Sequence, residues 1–144
     1  MKTITFLAAI LVGTASVFAQ DVPQNEVPSA ILNTFNNAFP KASDVEWERM
    51  GEQYNVDFEI GFFNDYEAWF DASGKMIKYS EDISKSDIPQ AVKESIKNQF
   101  DGYQIDDANK ITENKVETFL IEIEKGNDEK KLLFSKEGKL VPNK

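Results

Sequence analysis

From residue 27 onward the apolar positions follow two different periods. In "VPSAILNTFNNAFP" (27–40), Ile31, Phe35, Ala38 and Phe39 recur at the three-to-four spacing that makes one stripe of a helix. In "IPQAVKESIKNQFD" (88–101), Val92, Ile96 and Phe100 do the same. A proline stands near the first helical position of each, where its missing N–H is not needed. Asp87 is placed to cap the second helix.

Between and after these stretches the period drops to two. "YNVDFEIGF" sets Tyr54, Val56, Phe58, Ile60 and Phe62 on one side and Asn55, Asp57 and Glu59 on the other, as a half-buried strand does. "TFLIEIE" alternates in the same way. Further strands are predicted at 44–50, with Val45 and Trp47 inward, and at about 104–111. In "FFNDYEAWFD" (62–71) five aromatics crowd a hairpin. Its inner row is Tyr66, Ala68 and Phe70, and its outer row Glu67, Trp69 and Asp71.

The elements repeat. Pro28, Ala30, Ile31, Phe35 and Phe39 match Pro89, Ala91, Val92, Ile96 and Phe100 at a constant offset of 61. "WFDASGKMI" (69–77) matches "LFSKEGKLV" (133–141) at an offset of 64, each with a polar turn ending in Gly-Lys between two apolar runs. The repeats run over about 27–83 and 87–142. One such unit of roughly 60 residues buries little of its surface and is marginal alone. Two units sharing one antiparallel sheet, with both helices on a single face, make an α+β protein whose other sheet face is open to solvent. Chain order leaves the pairing between the two half-sheets open.

The N-terminus reads differently. Lys2, the apolar run "ITFLAAILVGTASV" and the small residues before Ala19 form a secretory signal, expected to span 1–19 and to leave 20–144 as the mature domain. Removing it, with its single lysine, takes the formal charge from −9 to −10. No cysteine follows for lipid attachment and no second apolar run is long enough to span a bilayer. A soluble exported protein without a membrane anchor is expected, and its acidity disfavours nucleic acid and anionic membrane as partners.

The chain has no histidine and no cysteine. Disulfides, thiol nucleophiles, Ser-His-Asp sets and the usual zinc sites are thereby excluded. No catalytic residue, metal ligand or cofactor is expected, and the protein is read as no enzyme. The acidic turns "DGYQIDDAN" (101–109) and "GNDE" (126–129) offer oxygens for calcium without EF-hand spacing, so calcium binding or sensing stands as the alternative.

The order of a helix ending in Phe-Pro, then Val-x-Trp (45–47), Tyr-x-Val-x-Phe (54–58) and Phe-Asp-x-x-Gly-Lys (70–75) resembles the PepSY-like, beta-lactamase-inhibitor-like family. The resemblance covers essentially the whole mature chain and is strongest in the first copy; Trp47 and Tyr54 have no clear aromatic counterparts in the second. It implies a periplasmic, non-catalytic protein. Among related architectures are inhibitors that hold an enzyme on an open sheet, and propeptide-type domains thought to restrain peptidases. The candidate contact is an apolar centre of Trp69, Phe63 and Leu133 with an acidic rim, engaging an unidentified protein or peptide.

Overall fold

The computed structural model describes residues 19–142. The expected signal segment lies outside the described residues, apart from Ala19. Eight strands form one sheet in chain order, each antiparallel to the next. They are β1 (Gln20–Asp21), β2 (Ala42–Met50), β3 (Gln53–Ile60), β4 (Asp65–Asp71), β5 (Met76–Asp82), β6 (Gln104–Glu113), β7 (Val116–Lys125) and β8 (Asp128–Ser135). Helix α1 (Ser29–Ala38) precedes β2, and α2 (Gln90–Gln99) lies between β5 and β6. The pairing that chain order left open is direct: β5 meets β6 with Tyr79 opposite Thr112 and Glu81 opposite Lys110.

The duplication extends to backbone detail. Both helices start on a proline, Pro28 and Pro89, and both end on a phenylalanine with φ near −127° and ψ 65°. Phe39 N–H donates to the Phe35 carbonyl and Phe100 N–H to that of Ile96, each at 2.8 Å. The Gly-Lys turns also correspond, since Gly74 N–H donates to the Asp71 carbonyl and Gly138 N–H to that of Ser135. Asp87 does not cap α2. Pro89 holds the cap position without a side-chain bond, and the Asp87 carboxylate accepts from Ser84 Oγ at 2.6 Å. The cause is the extended proline cap, which puts Asp87 two residues upstream of it in a turn of its own.

Each helix seals one half of the sheet. Ile31 and Phe35 of α1 pack with Trp47, Val56, Phe58, Ala68 and Phe70. Val92 and Ile96 of α2 pack with Ala108, Phe119, Ile121, Ile123 and Phe134. Phe35 is the hub of the first core, edge-on to Trp47 at 5.2 Å and to Phe58 at 5.0 Å between ring centroids. Between the two cores, on the same sheet face, runs a polar seam where Lys110 Nζ lies 2.6 Å from a Glu81 oxygen and 3.8 Å from one of Glu117.

The inner row of β3 ends sooner than its alternation suggests. Phe62 is 90% exposed, because β3 stops at Ile60 and Gly61, at φ 76°, turns the chain out of the sheet. In the second repeat the described residues after β8 form a bridge between Phe134 and Leu140 and a bond from Val141 N–H to the Leu133 carbonyl.

Candidate functional site

The helices occupy one face, and among the described residues no second layer covers the other. Cross-strand register arranges its side chains in rows. One row runs Glu48, Asn55, Trp69, Lys78 and Glu113 across β2 to β6. The next runs Glu46, Asp57, Glu67, Ser80, Ile111 and Thr118 across β2 to β7. A third places Asp82, Asn109, Leu120 and Leu133 side by side on β5 to β8.

Trp69 lies on this outer face, as the alternation predicts, and is half-buried. The Lys78 ammonium stands over its ring at 4.5 Å from the centroid, within cation–π range. Its opposite neighbour Asn55 is only 2% exposed although it faces away from the helices. The Asn55 amide donates to a Glu67 oxygen at 2.6 Å, so its burial is not unsatisfied. Trp69 thus helps shield a polar neighbour while keeping part of its ring open to solvent.

The three expected contact residues are not brought together. Leu133 shares the outer face with Trp69 but stands four strands away and in another row, roughly 20 Å off at ordinary strand spacing. Phe63 sits in the β3–β4 turn, 92% exposed, beyond the end of the sheet face. Sequence alternation identifies the face of each residue; the distance between them depends on strand order and register. An apolar residue of this face that it did not single out is Ile111, two strands from Trp69 and opposite Ser80.

The electrostatics are set by like charges in adjacent positions. Glu46, Asp57 and Glu67 are direct cross-strand neighbours on three consecutive strands, so like charges stand side by side. Burial, reinforced by Glu46, pushes the Asp57 carboxyl up. Burial also raises Glu67, against the bond from Asn55. Asp82 is raised by burial and by the nearby Asp107 and Asp65.

The acidic turns are organised otherwise. The Tyr103 hydroxyl donates to the Asp128 carboxylate, and Lys130 Nζ lies 3.0 Å from it; both hold that carboxyl below its ordinary range. Among the described residues no three acidic side chains converge as metal ligands.

Solved structures share this architecture. A BLIP-like protein from Bacteroides fragilis aligns with a TM-score of 0.69 at 23% identity, over 81% of this chain and 84% of that one. A DUF2874 family protein from Bacteroides uniformis gives 0.72 at 19%, over 80% and 86%. A putative periplasmic protein from Bacteroides eggerthii gives 0.72 at 17%, over 81% and 86%. At these identities the likeness establishes the fold alone. No curated protein matches the chain. The sequence itself matches the family described as "Putative beta-lactamase-inhibitor-like, PepSY-like" twice, over residues 16–62 and 52–142. With residues 16–142 matched, and with two helices over one duplicated antiparallel sheet, the chain belongs to the PepSY-like family.

Proposed function

We propose that this chain is a non-catalytic, periplasmic binding module that engages a protein or peptide on its outer sheet face, around Trp69. The observation that carries the reading is an uncovered sheet face with a half-open tryptophan, stacked by Lys78, among acidic rows. Large aromatic anchors within a polar rim are the usual energetic centres of protein contacts. A chain with neither histidine nor cysteine, in a beta-lactamase-inhibitor-like family, favours binding over catalysis. The leader-like N-terminus favours export, as does the fold shared with a putative periplasmic protein. Among the described residues no helix is long and apolar enough to cross a membrane.

The test is affinity capture from periplasmic extract with the mature protein and its Trp69→Ala variant, both shown to be folded by circular dichroism. A protein retained by the first and lost by the second is the expected result. Equal capture by both moves the contact off Trp69, and empty capture by both removes the reading.

A further inference from the structure

The β3–β4 turn carries two adjacent phenylalanines, Phe62 and Phe63, at 90% and 92% exposure. Together they expose roughly 400 Å² at one turn, which matches the largest apolar patch of an ordinary monomer, a patch that is often functional. Phe63 is also held at φ 66°, a left-handed conformation that bulky residues rarely adopt. Neither packing nor backbone comfort accounts for the pair.

The second repeat shows that the fold does not require it. There the corresponding strands β7 and β8 pair up to Lys125 and Asp128 and close through Gly126 and Asn127 alone. In the first repeat Ile60 N–H donates to the Asn64 carbonyl at 3.1 Å, which leaves three residues in the turn. Gly61 occupies the place of Gly126, with φ positive in both. The first copy thus has one residue more, and two phenylalanines where the second has a single asparagine.

Charge selects the occupant. Glu59 and Asp65 pair directly at the foot of the turn, and Asp57 and Glu67 form the next pair on the same sheet face. The net formal charge is −9. An anionic bilayer would be repelled, and so would a second copy offering the same acids. We propose that the Phe62–Phe63 tip is a wedge that enters an apolar cleft of a partner protein whose mouth carries lysines or arginines. This rests on the binding-module reading above and adds the point of insertion and the partner's chemistry.

The experiment places a photo-crosslinking residue at the tip (Phe63→p-benzoylphenylalanine) or on the sheet face (Trp69→p-benzoylphenylalanine). Each folded mature protein is illuminated in periplasmic extract. Expected is a tip adduct whose crosslinked peptide maps to an apolar cleft bordered by Lys or Arg. Its yield should fall at least about fivefold when salt rises from about 50 to about 500 mM, because screening shortens the reach of the acids. Adducts at position 69 with none at 63 overturn the wedge and leave the sheet-face reading standing. Adducts at neither position overturn both. A tip adduct to lipid, to a second copy or to an acidic or polar surface overturns the wedge alone.

Discussion

Gly138 lies against Ala91 so closely that a Cβ on the glycine would stand 2.3 Å from the alanine carbonyl oxygen. Gly74 repeats the relationship in the first copy, where a Cβ would meet that of Ala30 at 2.8 Å. Thr34 Oγ1 donates to the Gly74 carbonyl at 2.7 Å, tying that turn further to its helix. Each Gly-Lys turn is therefore docked on the first turn of its own helix, which fixes helix to sheet within the repeat.

Gly138→Ala should accordingly lose far more stability than a left-handed backbone alone explains. We expect about 3 kcal/mol or more, from backbone strain plus the clash with Ala91. Gly126→Ala is the control: its φ is 62° but nothing lies within 4 Å of the added Cβ, so about 1 kcal/mol is expected. Urea denaturation of both variants measures the difference. Equal losses would mean that the turn does not press on the helix.

Two phenylalanines should respond in opposite ways. Phe35→Ala empties the hub of the aromatic core and should cost about 4 kcal/mol. Phe63→Asn removes no buried surface and supplies a residue at ease with positive φ, so stability should hold or rise by up to about 1 kcal/mol. Thermal unfolding of the two variants checks both signs.

Stability should pass through a maximum on the acid side of neutrality. Asp57, Glu67 and Asp82 are all raised in the folded state, mainly by burial. Folding therefore binds protons as pH falls through their raised values, and stability increases until it nears the ordinary values of 3.8 for Asp and 4.5 for Glu. Asp71 and Asp128 are lowered, Asp71 chiefly by the bond from Ser73 and Asp128 by that from Tyr103. Their contribution is present above 3.8 and is lost as pH falls through their depressed values. Melting temperature should climb as pH falls from neutrality toward the ordinary carboxylate values and should fall once pH drops below 3.8. Asp57→Asn should flatten the climb without affecting the fall; a monotonic decrease on acidification would contradict the assignment.

The helices were legible because their stripes and the matching prolines are local: Ile31 and Phe35, and Val92 and Ile96, all reach the core. The strands were legible for the same reason, and Tyr66, Ala68 and Phe70 do face α1. Phe62 was misplaced because alternation records parity and not where a strand stops; the positive φ of Gly61 decides that. The Asp87 cap failed on a two-residue offset that depends on the backbone around Pro89.

By itself, then, the sequence determined the α+β class, the duplication, the inner and outer rows of β3 and β4 and the exposed acidity, since periodicity and charge belong to neighbouring residues. Tertiary structure alone decided that β5 pairs with β6, that the two cores are divided by the Lys110–Glu81 seam, and that Trp69, Phe63 and Leu133 stand apart. Those outcomes follow from strand order and from register shifts such as those at Ser43/Glu46, Trp69/Phe70 and Ile105/Asp107. A shift of one residue moves every later side chain on that strand to a new neighbour, and the pattern along the chain does not record where it occurs.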